Sequence, residues 1–169
     1  MFKKAAGKYG FDWVLAIALG YQESTLEQRK RSPAGAIGVM QLLPNTARDP
    51  NINIPNIDKL EPNIHAGVKY LHFLHDRYFR GQEMNLLNQW LFAIASYNAG
   101  PARIAKLRAE APSMGLNPNK WFKNVELVVA KRIGRETVQY VSNIYKYFIA
   151  YRLILEKEAI KSTTQLQAM

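Results

Sequence analysis

Three features of this sequence predict an all-α, single-domain fold. No window alternates apolar and polar residues with period two, whereas apolar residues recur at helical spacing in several segments. The stretch from Asp12 to Ser24, DWVLAIALGYQES, is apolar from Trp13 to Leu19 with no polar face, as in a helix buried on all sides. A chain of 169 residues is long enough to bury such a helix and fits one domain.

Composition narrows the partners. Lys and Arg number 23 against 13 Asp and Glu, a net charge of +10 that attracts nucleic acid, anionic lipid or anionic cell-wall polymer alike. The absence of cysteine excludes a disulfide framework and thiolate metal sites. Lys3 and Lys4 precede only a short apolar run broken by Lys8 and Asp12, a pattern from which no secretory signal is expected. The expectation is a cytoplasmic chain, or a piece of a longer exported protein lacking its export signal. The Asp12 to Ser24 stretch is also too short for a bilayer, which needs roughly 20 apolar residues.

Each element follows in order. Residues 2–9 read as a short amphipathic helix closed by Gly10, and the buried helix comes next. Glu27 to Arg31 is polar, and Ser32-Pro33-Ala34-Gly35-Ala36-Ile37-Gly38 is dense in turn formers, so the chain loops back over the end of that helix. Pro44 opens another short helix. Residues 49–60 read as an irregular surface loop. Glu61-Pro62 starts a helix with Ile64, Val68, Leu71 and Leu74 on one side, ending near Phe79 and Gly81. Leu86 to Asn98 is strongly apolar and stops at Gly100-Pro101; 101–110 form a short basic helix, and 111–119 a loop. Trp121 to Ile133 reads as a helix broken at Gly134. A long helix runs from Glu136 to about Ile160, its core stripe Val138, Val141, Ile144, Tyr145, Phe148, Ile149, Arg152 and Leu153. Residues 161–169 read as a frayed tail.

The chemistry starts with Glu23. A carboxyl at the end of an apolar rod is partly desolvated, which raises its pKa and makes it a proton donor near neutrality. The same residue also reads as a solvated acid closing a helix. Three further stretches stand at intervals behind it: Ser32 to Gln41 (SPAGAIGVMQ), Ala95 to Gly100 (ASYNAG) and Glu136 to Val141 (ETVQYV). Each has a plain structural explanation alone, in tight glycine backbone, core-filling Met40 or a helix end at Tyr97-Asn98.

Together, in this order and spacing, the four resemble the ES, GxxGxMQ-type, AYNAG and ETxxYV motifs of the soluble lytic transglycosylase domain. That family is the peptidoglycan-cleaving branch of the lysozyme-like superfamily related to goose-type lysozyme. The resemblance covers about residues 11–152, and is nearest to the membrane-bound lytic transglycosylase F type, in which a solute-binding domain precedes this one. Ser96 departs from the motif's usual alanine.

The resemblance implies a lysozyme-like domain in the periplasm or cell envelope, outer-membrane-associated in full length. It implies a monomer that acts on peptidoglycan glycan strands and needs no metal or cofactor. Glu23 would be the single catalytic acid, protonating the bond between N-acetylmuramic acid and N-acetylglucosamine. As carboxylate it would then deprotonate the muramyl C6 hydroxyl, giving a 1,6-anhydro end. Ser32, Met40, Gln41, Tyr97, Asn98 and Tyr140 would contact substrate, while Ser24, Gly38 and Glu136 support the site. An ordinary glycosidase needs two facing carboxylates, and Glu27, Asp49, Asp58 and Glu61 are poorly placed to supply the second. The alternatives are a muramidase using water as nucleophile and a non-catalytic peptidoglycan-binding module.

Other patterns are set aside. His65, His72 and His75 share one side of a helix but form no HExxH motif. Asp49-x-Asn51-x-Asn53 begins like a calcium loop, yet Ile54 stands where glycine is required and Leu60 where the bidentate glutamate belongs. The aromatic and basic residues of the last helix accompany no nucleic-acid-binding motif, so no nucleic-acid partner is expected.

Overall fold

The computed structural model describes residues 1–167, with side-chain surroundings to residue 161. Eight α-helices form it: α1 Phe2–Gly7, α2 Trp13–Ser24, α3 Pro44–Arg48, α4 Leu60–Tyr78, α5 Leu86–Ala99, α6 Pro101–Glu110, α7 Glu126–Ile133 and α8 Glu136–Gln167. Among the described residues there is no strand, only isolated bridges of Arg31 to Ile37 and Ile37 to Leu42. The family-level expectation of an all-α domain holds.

The start of α2 is fixed by Asp12, whose extended backbone lets its carboxylate accept from the Val14 N–H at 2.9 Å. The helix ends where Thr25 turns left-handed. Val14, Leu15, Ala16, Ala18 and Leu19 are buried, while Trp13 and Ile17 are only half-covered. α8 packs along α2, and α5 packs against α4, α6 and α8. Asn85 caps α5 by accepting from the Asn88 N–H, and Gly100, at φ 86, turns the chain into α6 with Pro101 at its first position.

Four expectations from the sequence are corrected. The 49–60 loop is anchored rather than superficial, since Ile52 and Ile57 join Leu42, Ala47 and Ala66 in a second small core. Trp121 to Ile133 is not one helix. Phe122 is extended and Lys123 left-handed, a kink that buries Trp121 completely before α7 begins. The core stripe of α8 is Thr137, Tyr140, Val141 and Ile144, while Ile149 and Leu153 are 40% and 61% exposed. Arg152 reaches out to Asp12 at 2.6 Å. α8 is also helical as far as Gln167, seven residues beyond the end read from the sequence; of the tail expected to fray, residues 168 and 169 lie outside the described residues.

Candidate active site

Glu23 occupies the last turn of α2, where burial removes water from its carboxyl. Its Oε1 accepts a hydrogen bond from the hydroxyl of Tyr140, a buried residue of α8. Burial pushes the Glu23 pKa from 4.5 up to about 7, against the opposing pulls of the Tyr140 hydrogen bond and the Lys30 charge. Burial also lifts the Tyr97 and Tyr140 phenols well above their ordinary range, and the Glu23 charge adds to both shifts. Both phenols therefore remain hydrogen-bond donors. The arrangement is a carboxylic acid that is half-ionised near neutral pH, beside a permanent donor.

The loop from Glu27 to Gln41 is stapled over this acid from several sides. Ser24 is fully buried; its hydroxyl donates to the Val39 carbonyl at 2.8 Å and accepts from the Glu27 N–H at 3.1 Å. Lys30 Nζ donates to the backbone carbonyl of Glu23 at 2.9 Å, satisfying one orphan carbonyl of the helix end. Gly38 sits at φ +77, and a Cβ there would lie 2.6 Å from both Asn63 Nδ2 and Gln28 Oε1. Met40, fully buried, holds its backbone by donating N–H to Asn63 Oδ1 at 2.8 Å and accepting from the Tyr97 hydroxyl at 2.8 Å. Under Met40 lies Gly67 of α4, where a Cβ would meet the Met40 Cβ at 2.5 Å.

The structure thus brings Glu23, Ser24, Gly38, Met40, Tyr97 and Tyr140 together. Ser32 and Gln41 belong to the covering loop, but their side chains bond to it. Ser32 Oγ accepts from the Ala36 N–H at 3.0 Å, and Gln41 Nε2 donates to the Gly38 carbonyl at 2.9 Å. Asn98 is exposed and accepts from the Thr137 hydroxyl at 2.7 Å, joining α5 to the start of α8. Glu136 is exposed in the first turn of α8, where its charge suits the helix N-terminus.

Sequence reasoning missed Asn63, Gln28 and Gly67. Asn63 is wholly buried, and its amide also donates to the Ile37 and Ile57 carbonyls at 2.8 and 2.9 Å. Gln28 holds the same loop, accepting from the Val39 N–H and donating to the Ile57 carbonyl. The available signal was an asparagine and a glycine four residues apart on the apolar side of α4. The three histidines have structural partners. Tyr9 Oη lies 2.8 Å from His65 Nε2, and His75 stands between Asp76 and Gln89 while stacking on Trp90.

A helical domain whose central helix ends in a largely buried carboxyl group fits the lysozyme-like class that the motif resemblance implies. The chain belongs to the transglycosylase SLT domain family, whose profile matches residues 1–119. It is 32% identical to a membrane-bound lytic murein transglycosylase F of Desulfosudis oleivorans and 35% identical to one of Pseudoalteromonas translucida, across 95% of this chain in each case. The chain spans only 37% and 36% of those relatives' lengths. Among solved structures it resembles the 70 kDa soluble lytic transglycosylase of Escherichia coli, at TM-score 0.68 and 27% identity. That match covers 91% of this chain and 24% of the other. An inactive mutant of the lytic transglycosylase Slt from Pseudomonas aeruginosa gives TM-score 0.67 and 26% identity over 92% of this chain and 24% of its own.

Proposed function

We propose that this chain is the catalytic domain of a lytic transglycosylase that cuts peptidoglycan between N-acetylmuramic acid and N-acetylglucosamine without consuming water. The observation that carries this reading is the desolvated Glu23 carboxyl, whose affinity for a proton is balanced near neutrality. An acid in that state donates its proton to the glycosidic oxygen as the bond from C1 breaks. The carboxylate left behind, still bonded to Tyr140, takes the proton of the muramyl C6 hydroxyl. The freed oxygen attacks C1, and the product is a 1,6-anhydro end with Glu23 reprotonated. Burial, Tyr140 and Lys30 account for the proton affinity of Glu23, with no acidic neighbour contributing among the described residues. That favours a nucleophile supplied by the sugar over a water held by a second carboxylate.

The other side chains take supporting roles. Met40 and Tyr97 wall the acid from water, and Tyr140 steadies its ionised form. Ser32, Gln41 and Asn98 contact substrate through the hydrogen-bonding capacity their internal bonds leave free, and Glu136 supports the start of α8. The chain works as a monomer with neither metal nor cofactor, in the periplasm or cell envelope. The greater length of its relatives accommodates a further domain, such as the solute-binding unit of the F type. No helix among the described residues is long and apolar enough to cross a membrane.

Mass spectrometry of peptidoglycan digested with the purified protein tests the reading. Products ending in anhydromuramic acid, one water lighter than reducing ends, are expected, and none from Glu23→Gln. Reducing ends would establish hydrolysis instead, and binding without cleavage would establish a non-catalytic module.

A further inference from the structure

Toward the end of α4 remote from the loop over Glu23, a hollow of about 290 Å³ lies between α4, α6 and the 111–120 segment. Asn63, which holds that loop, and Tyr78, which lines the hollow, are roughly 20 Å apart along the helix. We propose that this hollow binds the free carboxylate terminus of a peptide whose last residues carry small apolar side chains, with Arg108 gripping the carboxylate. The assignment goes beyond the cleavage reading and does not depend on it.

Arg108 is the one charged residue of the lining. Its guanidinium is half-buried, with Cζ 5.7 Å from the centre of the Phe92 ring. Nε donates to the Pro118 carbonyl at 2.9 Å and Nη2 to Asn119 Oδ1 at 2.6 Å. Those bonds occupy one edge of the planar fork; Nη1 and the second hydrogen of Nη2 have no protein partner among the described residues. Nor does Arg108 make an ion pair among them, and burial lowers its pKa with no acid to offset the effect. A partly desolvated cation, fixed in place and lacking a counter-ion, is a receptor for an anion. Its open edge matches the two oxygens of a carboxylate.

The remaining wall decides what carries that carboxylate. Phe79, Ala105, Ala109, Pro112 and Pro118 have no polar side-chain atom, and Tyr78 adds ring surface. One cation in such a wall balances a single negative charge, whereas a phosphate dianion would bury charge without a second cation. The volume lies at the bottom of the usual range for ligand sites, roughly 300 to 1,000 Å³, which suits two small residues and not a long acyl chain.

The hollow is formed before a ligand arrives. Ala105 and Ala109 are one turn apart on an exposed side of α6, and their short side chains leave the space open. Pro112 and Pro118 stiffen the 111–120 segment, and Arg108 ties that segment to α6. A net charge of +10 draws an anionic peptide end toward the surface.

The test titrates isotope-labelled protein, followed by NMR, with N-acetyl-alanyl-alanine in its L and D forms, with the C-terminal amides of both, and with decanoate. At least one free dipeptide should give saturable shifts at the Tyr78, Ala105 and Ala109 amides and at Arg108 Nε–H, leaving Glu23 and Tyr140 unmoved. The matching amide and decanoate should bind at least about tenfold more weakly. Arg108→Gln should weaken the dipeptide to the same degree, but it also releases the 111–120 segment. Ala105→Trp, which fills the hollow from an exposed position and leaves the fork intact, therefore decides; Ala109→Trp serves if that variant does not fold. About tenfold weaker binding in a folded Trp variant is expected. No saturable shifts at these residues, equal affinity for the amide, equal affinity for decanoate, or unchanged affinity in a folded Trp variant would each overturn the proposal.

Discussion

Replacing Glu23 by Gln should stabilise the domain at alkaline pH while abolishing its activity. In the unfolded chain the Glu23 carboxyl titrates at its ordinary 4.5, and in the folded protein at about 7. Below 4.5 both states hold the proton, and the buried group is neutral. As pH rises through 7 the folded state must hold a carboxylate in a dry site that the unfolded chain holds in water, and stability is lost. The span from 4.5 to about 7 corresponds to about 3 kcal/mol. Gln has the same shape, still accepts from Tyr140 and never ionises. The stability gap between the variant and the parent should therefore widen by about 3 kcal/mol between about pH 4.5 and pH 9. In a domain of this size that is about 6 to 12 °C in Tm. Urea unfolding of both proteins across this range measures it. A gap that is the same at both ends would refute the claim that Glu23 is a desolvated acid, whatever its effect on activity.

Three further outcomes are expected. Tyr140→Phe removes the donor that favours the carboxylate, so the alkaline limb of the pH–rate profile should move up by about one pH unit. Asn63→Ala leaves the Met40 N–H without its partner and takes one donor each from the Ile37 and Ile57 carbonyls, which keep the Leu42 N–H and the Gln28 amide. It should cost about 3 kcal/mol in urea unfolding and lower turnover together with stability, because the same amide holds the loop over Glu23. Treatment with a chelator should leave the rate unchanged; loss restored by one specific metal would overturn the metal-free mechanism.

Helix positions were legible in the sequence because they depend on local signals. Asp12, Pro44, Asn85 and the Gly100-Pro101 pair start or stop their helices by chemistry confined to a few residues. The error at Trp121 to Ile133 has the opposite cause. Periodicity there supports a helix, but burying Trp121 against Phe92 of α5 requires the kink at Phe122 and Lys123. The α8 stripe was misread beyond Phe148 because apolar spacing cannot show where the neighbouring helices end, and Leu153 has outrun them. At the site, motif residues could be placed by type and order, whereas Asn63 and Gln28 could not. Their importance comes from hydrogen bonds to backbone outside their own local segment, Asn63 to Ile37 and Met40 and Gln28 to Val39 and Ile57, which a reading of side-chain periodicity does not contain.

The two influences on Glu23 act on opposite halves of the proposed reaction. Burial stabilises the neutral acid, the form that must give up a proton to the glycosidic oxygen. Tyr140 and Lys30 stabilise the carboxylate, the form that must take a proton from the C6 hydroxyl. A residue that is acid in one step and base in the next gains nothing from an extreme in either direction, since each deepens one state at the expense of leaving it. A balance near pH 7 follows from that demand, and it explains why a buried phenol is placed against a buried carboxyl instead of an arginine, whose full charge would pin the group as carboxylate. Tyr140→Phe and a change that wets the site at Met40 should therefore both slow the reaction at neutral pH. They should shift its pH profile in opposite directions, Tyr140→Phe upward and the wetted site downward. Shifts in the same direction would mean that Tyr140 orients the acid without tuning it.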